Sequence, residues 1–394
     1  MKIMLLICGE GLGHTSRCLA LGKEFLAAGH EVSFGAYGYS KEMIERAGYK
    51  ANEIPSEVKL VGDAGALDLK GSVEATLKNT KLLGGPKFLK FIKTTAPTVI
   101  VSDSYYLGAL IGITRKIPVY IIINQSNMEE FFKDRGVPLR ILGKMTKKFY
   151  NQIFEKVDKI IIPDFPLPYT VCKKNLSLSM KLGEKLFFSG PLLKNKYEEI
   201  EELPLKKPHI VSLIGGFGYR EPIFRKVLET AKLDPSIHYT LISGPSLDPS
   251  KITDLPENVE LLKFIKDTYP YLKSSDAVIA PGGHSTMMEA LSFGTPVLSF
   301  PDKGHSEQEN NAAVIDEEGY GRMLSYSTPP EVILECIHEV LEEERYRNKM
   351  DRLRRLSREL NGPSAIREML EKELGEKALP DPALCVNLSG KKEN

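Results

Sequence analysis

Residues 281–286, Pro-Gly-Gly-His-Ser-Thr, form a segment that could bind a phosphate. The apolar run before it predicts a buried strand, and a helix is expected to begin near Ser285 and to end at Gly294. The N-terminus of such a helix presents unpaired N–H groups and a partial positive charge, which suit an anion. Glu289 lies one turn into this helix, where its carboxylate could bind the two hydroxyls of a ribose. The alternative is structural, because Thr286 and Glu289 also have the spacing of a capping box.

An acid–amide pair, Glu307 and Gln308, follows the predicted strand 295–300. We expect the pair to lie on a loop, where it could bind the hydroxyls of a sugar. Phosphate, ribose and sugar are the parts of a nucleotide-sugar. The C-terminal half of the chain therefore has a candidate group for each part of such a ligand.

A second glycine-rich segment, residues 9–14, lies between the first predicted strand and the first predicted helix. Imidazole titrates near neutral pH, so His14 at its end could take a proton from an attacking hydroxyl as a general base. Asp103, after the apolar run 99–102, is the second candidate, as a base or as the partner that orients the histidine. Capping of the following turn is the structural alternative for Asp103. Glu10 is the third candidate for the base.

The same segment could be taken for a dinucleotide-binding loop. That motif needs a glycine at its sixth position and an acidic residue near the end of the second strand. Here the sixth position is His14, and the predicted second strand, 31–36, ends in Phe-Gly-Ala. Both departures disfavour a nicotinamide or flavin oxidoreductase.

The overall composition excludes several classes of protein. The 394 residues carry a formal net charge of +1, which gives no reason to expect nucleic acid as a partner. Five cysteines are scattered without a Cys-x-x-Cys pair, which favours free thiols in a reducing compartment over disulfides or zinc. Neither a signal peptide nor a long apolar span is found. We therefore expect a cytoplasmic protein.

Segment 281–311 resembles the donor-binding signature of GT-B glycosyltransferases, especially the bacterial lipid-linked N-acetylglucosaminyltransferases and the UDP-glucuronosyltransferases. Segment 9–14 resembles the glycine-rich, histidine-terminated loop that opens these enzymes. The resemblance implies that the general base is His14 and that the phosphates meet His284, Ser285 and Thr286. It further implies that the ribose meets Glu289, that the sugar meets Glu307 and Gln308, and that Gly283 belongs to the donor site.

Residues outside these two segments also have expected roles. On the donor side they are Gly215, Gly216 and Gly218 at the diphosphate and, by resemblance, Phe264 and Ile265 beside uracil; on the acceptor side they are Gly11, Gly13, Asn124 and Gln125. The chain contains no Asp-x-Asp motif, so neither a metal nor another cofactor is expected. A helix N-terminus and backbone N–H groups would stabilise the departing diphosphate instead.

Short apolar runs alternate with amphipathic stretches in both halves, which predicts an α/β fold with doubly wound parallel sheets. The resemblance implies the GT-B arrangement, in which two Rossmann-like domains face each other across a cleft. The expected parts are an N-terminal acceptor-side domain (1–190), a linker (191–207), a C-terminal donor domain (208–345), C-terminal helices that return to the first domain (346–375) and a mobile tail (376–394).

The predicted activity is that of an inverting, metal-independent glycosyltransferase. N-acetylglucosamine from a UDP donor is the expected sugar, and a lipid-linked sugar at the cytoplasmic membrane face is the expected acceptor. Residues 137–150 mix basic and apolar side chains and could lie on an anionic membrane surface. Their alternative is a helix whose apolar face packs in the core. Two other functions stay open: an NDP-sugar 2-epimerase, and a donor-binding subunit that needs a membrane partner.

Overall fold

The computed structural model describes residues 1–9, 12–57, 62–63, 66–67, 86–133, 136–213, 220–244, 254–263, 265 and 267–378. Within these residues the chain forms one large parallel sheet in each half. The two Rossmann-like sheets that the sequence predicted are therefore confirmed.

The N-terminal half supplies the first sheet. Its strands are β1 (Lys2–Ile7), β2 (Glu31–Ala36), β3 (Ala51–Glu53), β4 (Gly62–Asp63), β5 (Ala66–Leu67), β6 (Val99–Asp103), β7 (Val119–Ile122), β8 (Lys159–Ile162) and β9 (Leu186–Phe188). Its helices are α1 (Leu12–Ala27), α2 (Gly38–Arg46), α3 (Pro86–Thr95), α4 (Tyr106–Thr114) and α5 (Val137–Phe154). In the described chain the sheet order is β3-β2-β1-β6-β7-β8-β9, while β4 and β5 form a separate antiparallel pair.

The C-terminal half supplies the second sheet. Its strands are β10 (His209–Leu213), β11 (His238–Ile242), β12 (Val259–Leu262), β13 (Ala277–Ala280), β14 (Val297–Ser299) and β15 (Gly321–Met323), in the order β12-β11-β10-β13-β14-β15. Its helices are α6 (Glu221–Leu233), α7 (Tyr269–Ser274), α8 (His284–Phe293), α9 (Ser306–Glu317), α10 (Pro330–Glu342), α11 (Glu344–Leu360) and α12 (Gly362–Ala378).

The strand order creates a ligand-binding crevice in each sheet. β1 lies beside β6, and β10 lies beside β13, so the direction of winding reverses at these two places. In open parallel sheets, ligands bind at such reversal points, outside the carboxyl ends of the strands. The predicted site segments follow these strands, because α1 comes after β1 and α8 comes after β13.

The last helix packs on the first half of the molecule. Ile366 and Leu370 of α12 are fully buried among apolar side chains of the N-terminal half. Nε of Arg367 donates a hydrogen bond to Glu24 of α1 over 2.9 Å. The predicted return of the C-terminal helix is therefore confirmed.

The chain passes between the halves twice, and the two passages touch. Gly190 has a left-handed φ of +85°, and a Cβ atom there would lie 2.7 Å from Cβ of Leu360. A Cβ atom on Gly362 would lie 2.4 Å from the backbone oxygen of Pro191. Only glycine at these positions allows the outgoing and returning segments to lie so close together.

Helix α5 exposes an apolar stripe, which consists of Val137 (57 % exposed), Ile141 (54 %), Leu142 (38 %), Met145 (65 %) and Phe149 (45 %). The alternative in which this side of the helix packs in the core is therefore wrong. By helical spacing, Lys144 lies at the border of the stripe and Lys148 lies within it. In the described part of the chain, no helix is both long and apolar enough to cross a membrane.

Candidate active site

His14 and Asp103 meet at the carboxyl edge of the first sheet. β1 and β6 are neighbours with Ile7 opposite Asp103, and His14 lies in the first turn of α1, which follows β1. Nδ1 of His14 lies 2.8 Å from Oδ1 of Asp103. The imidazole is 21 % exposed, and its Nε2 makes no hydrogen bond to the described residues. This arrangement leaves one ring nitrogen available to a ligand.

Arg17, which the sequence analysis missed, completes this cluster. Its Nε donates to Oδ2 of Asp103 over 2.5 Å, and its Nη2 donates to Oδ1. Nη2 also lies 2.8 Å from Nδ1 of His14. The available signal was the three-residue spacing from His14, which puts both side chains on one face of α1.

Asp103 is suited to orient His14 rather than to take a proton itself. Burial alone would raise the pKa of this carboxyl, but the adjacent Arg17 guanidinium and His14 lower the pKa to well below its usual range. The carboxylate therefore stays ionised throughout the pH range in which an imidazole titrates.

Helix α8 begins one residue before the predicted start. Gly283 is its N-cap residue and makes no side-chain cap, and Gly294 ends it in the left-handed conformation with φ of 80°. The alternative capping box is therefore not formed, and the first N–H groups keep their capacity for an anion. A Cβ atom on Gly282 would lie 2.6 Å from the backbone oxygen of Gln308, whereas one on Gly283 would meet nothing within 4 Å.

The N-termini of α1 and α8 touch across the cleft. A Cβ atom built on Gly13 would lie 2.3 Å from Oγ and 2.8 Å from Cβ of Ser285. The absence of a side chain at Gly13 therefore allows this contact. The glycine brings the helix that carries His14 against the predicted phosphate-binding helix.

Glu289 is partly buried and lines a small cavity between the halves, together with Arg17 and Ser285. Burial raises the pKa of its carboxyl to about 7, and Asp267 acts in the same direction. The Lys194 ammonium and a hydrogen bond with Tyr269 act in the opposite direction. A carboxylate with such a pKa changes its charge near neutral pH, so its capacity to accept hydrogen bonds from a ribose depends on pH.

Glu307 and Gln308 lie in the first turn of α9, so the predicted loop is wrong. Glu307 accepts a hydrogen bond from Asn124 of the other half, with 2.7 Å between Oε1 and Nδ2. Gln308 donates to Oδ2 of Asp302 over 3.0 Å and accepts from the Asp302 backbone N–H over 3.0 Å. Glu307 thus faces the cleft between the halves, whereas both polar atoms of Gln308 already have a partner.

Two further predicted residues, Gln125 and Ile265, lie within the described part of the chain, and six others lie outside it. Gln125 is buried and donates to Asn127 over 3.1 Å, and Ile265 packs partly buried against the core of the second half. Six predicted residues lie outside the described residues: Glu10, Gly11, Gly215, Gly216, Gly218 and Phe264.

Buried polar groups join the two halves beside the site; they include His284, which was predicted to meet the phosphates, and the residues Asp164 and Asn175, which the sequence analysis missed. Nδ2 of Asn175 donates to Oδ1 of Asn311 over 2.7 Å. Nε2 of His284 lies 3.3 Å from Oδ2 of Asp164, which also accepts hydrogen bonds from Thr170 and from the Cys172 N–H. The thiol of Cys172 lies within 4.8 Å of these ligand atoms. A metal ion would have to displace these hydrogen bonds, since a carboxylate oxygen has two lone pairs.

Comparison with known proteins places this chain in a family. Residues 210–361 match the Glycosyltransferase family 28 C-terminal domain. Over 377 residues, 96 % of this chain and 100 % of the relative, the chain is 74 % identical to an uncharacterized glycosyltransferase of Methanosarcina mazei. It is 24 % identical to the NDP-glycosyltransferase YjiC of Bacillus subtilis, over 79 % of this chain and 82 % of YjiC.

The fold also matches solved structures. The crystal structure of CalG4, the calicheamicin glycosyltransferase, superposes with a TM-score of 0.73 at 19 % identity. The match covers 96 % of this chain and 99 % of CalG4. At this identity the likeness concerns the fold alone.

Replacement of Gly13 by alanine should hold the two halves apart. The added methyl group would overlap Ser285, and such overpacking costs about 1–3 kcal/mol. We expect UDP-N-acetylglucosamine to bind at least about fivefold more weakly, measured by calorimetry. The double variant Gly13→Ala/Ser285→Gly should recover part of the loss, and an affinity for Gly13→Ala equal to that of the wild type would refute the role of this contact.

Binding of a nucleotide-sugar should strengthen as the pH rises through about 7. As the predicted ribose ligand, an ionised Glu289 would accept hydrogen bonds from both ribose hydroxyls, whereas the protonated acid would have less capacity to accept them. With a pKa of about 7, affinity for UDP-N-acetylglucosamine should be about tenfold higher at pH 8 than at pH 6. The diester diphosphate of this probe does not titrate in that range. Glu289→Gln should bind more weakly and without this rise, and an identical rise in the variant would contradict the assignment.

Proposed function

Because the chain belongs to the glycosyltransferases with the GT-B fold, we propose that it transfers N-acetylglucosamine from UDP to a hydroxyl of a lipid-linked acceptor. Transfer from a nucleoside-diphosphate sugar follows from the family. The sugar, the nucleobase and the acceptor are our proposal, as is an inverting reaction that needs no metal.

One observation supports this proposal most strongly, namely the meeting of a free imidazole nitrogen and a helix N-terminus. Nε2 of His14 makes no hydrogen bond to the described residues, and the neighbouring Gly13 contacts Ser285 at the start of α8. A proton acceptor and an anion-binding end of a helix therefore lie on the two sides of one contact. Displacement of a diphosphate by a hydroxyl needs these two groups.

The proposed reaction is a single displacement at the anomeric carbon. The acceptor oxygen attacks this carbon while its proton passes to Nε2 of His14, and the bond from the anomeric carbon to the diphosphate oxygen breaks. The charge on the departing diphosphate is stabilised by the N–H groups at the start of α8. Asp103 holds Nδ1 of His14, Glu289 binds the ribose, and Glu307 binds the sugar.

The surface of α5 supports a lipid-linked acceptor. Its exposed apolar stripe (137–149) and the lysines on this side of the helix, Lys144 and Lys148, combine the two properties by which helices lie on anionic membranes. An acceptor that stays in the bilayer would then reach the cleft from this side of the first half.

The test is UDP release from a panel of UDP-sugars and dTDP-sugars, with and without a lipid extract. We expect release from UDP-N-acetylglucosamine only with lipid, and mass spectrometry should find one added N-acetylhexosamine on a polyprenyl carrier. Release from another donor would refute the proposed sugar or nucleobase. Formation of an epimeric sugar without lipid would establish an epimerase instead, and binding without release would favour another acceptor or a subunit that needs a partner.

His14→Ala should abolish turnover and leave donor binding intact. Loss of a general base costs about 10²–10⁴-fold in rate, whereas the predicted donor contacts lie in the other half of the molecule. We expect the dissociation constant for UDP-N-acetylglucosamine to stay within about threefold of that of the wild type. His338→Ala, on the partly exposed surface of α10, is the matched control. Turnover of His14→Ala equal to that of the wild type would exclude His14 as the base.

A further inference from the structure

Arg17 is a buried cation at the centre of the site, and its position is unusual for a histidine–aspartate pair. Only 4 % of the residue is exposed. The guanidinium uses Nε and Nη2 to bind both oxygens of Asp103, which is itself fully buried. The same Nη2 lies as close to Nδ1 of His14 as the carboxylate does, at 2.8 Å.

We propose that Arg17 is a positioning residue of the transfer reaction, which fixes the Asp103 carboxylate against His14 and offsets the charge of that carboxylate beside the imidazole. This inference deepens the proposed function, because it assumes that His14 is the base.

The first part of the argument is geometric. A planar guanidinium that binds both carboxylate oxygens fixes the plane of the carboxylate, which a lysine ammonium would not do. With the plane fixed, Oδ1 of Asp103 is directed to Nδ1 of His14. Nδ1 cannot both donate to this oxygen and accept a hydrogen bond from Nη2 of Arg17, which has only donors. Donation from Nδ1–H to Asp103 is the arrangement that leaves the lone pair on Nε2, the nitrogen without a partner among the described residues.

The second part is electrostatic. Without Arg17, the imidazolium formed by proton transfer would face an uncompensated carboxylate, which favours the charged ring. With Arg17, the carboxylate is already neutralised, and the new positive charge forms 2.8 Å from a guanidinium nitrogen. Arg17 therefore offsets the attraction of Asp103 for a positive charge on the ring and favours the return of the proton after transfer.

The other charged and titratable groups around the cluster do not replace Arg17. Cys18 on α1 donates weakly to Oδ2 of Asp103 over 3.4 Å, and burial raises the pKa of this thiol, so it stays neutral. Glu307 on α9 acts on Arg17 from the second half and takes a hydrogen bond from Asn124. In the described surroundings, Arg17 is the cation that contacts both His14 and Asp103.

The test is a pH titration of ¹⁵N-labelled histidine by NMR, which needs no substrate. His14→Ala identifies the signals of His14. In Arg17→Met we expect the titration midpoint of His14 to rise by about one pH unit or more, the scale for removal of a neighbouring charge. In Arg17→Lys, which keeps the charge, the midpoint should stay within about 0.3 units of the wild type, and the shifts should report a mixture of tautomers. Lys23→Met, on the exposed side of α1, should change neither the titration midpoint nor the tautomer of His14.

Turnover with UDP-N-acetylglucosamine and lipid extract is the second measurement. We expect turnover to fall about 100-fold in Arg17→Met and about tenfold in Arg17→Lys. Arg17→Met should also become inactive in acidic buffers. The affinity for the donor should be unchanged in both variants. An unmoved midpoint in Arg17→Met would overturn the proposal and would assign Arg17 a purely structural part. If Arg17→Met does not fold, the proposal would be overturned by an Arg17→Lys variant that has the same turnover and the same His14 tautomer as the wild type. A fully active His14→Ala would instead refute the proposed base, and the NMR result would still report on Arg17.

Discussion

The arrangement of the site depends on one constraint, which is that all strands of a parallel sheet end at the same edge. In each half, the reversal of strand order opens a crevice at that edge, and a helix N-terminus lies beside it. The halves face each other with these edges. Residues far apart in the chain, such as His14, Asp103 and Ser285, are therefore brought to one cleft, where Gly13 leaves room for the contact between α1 and α8. The chemistry of the site then depends on which side chains stand at the first turns of α1 and α8.

The contact between the halves is mainly polar close to the cleft. Buried amides and carboxylates pair across it, as Asn175 does with Asn311 and Asp164 does with His284. Near the same place, Phe165 and Val171 of the first half pack into the apolar core of the second. Buried polar groups need geometrically matched partners, whereas apolar packing tolerates sliding. The polar pairs therefore fix the relative position of the halves, and the apolar contacts hold them together.

The sequence predicted features that depend on local patterns. Apolar runs and glycines located β13 and α8 within a residue or two, because strand burial and helix ends leave short-range signals. The helical position of Glu307 was missed. Helix α9 begins Ser-Glu-Gln-Glu-Asn-Asn, where the two asparagines have a low helix propensity and no apolar stripe indicates a helix. Packing against residues 171–174 stabilises this helix instead. Arg17 was missed for a similar reason, because its role depends on the tertiary contact with Asp103, 86 residues away.

The two adjoining passages between the halves, at Gly190 and Gly362, have a consequence for motion. Both covalent connections lie at one place. A movement that separates the halves and keeps these contacts is therefore a rotation about a hinge at that place. This hinge lies at the floor of the cleft, because Leu192 and Leu193 line the same small cavity as Arg17 and Ser285. Displacement in a rotation grows with distance from the axis. An opening movement would therefore admit bulky substrates at the outer rim, while the reacting groups near the axis travel the shortest arcs and stay nearly in register.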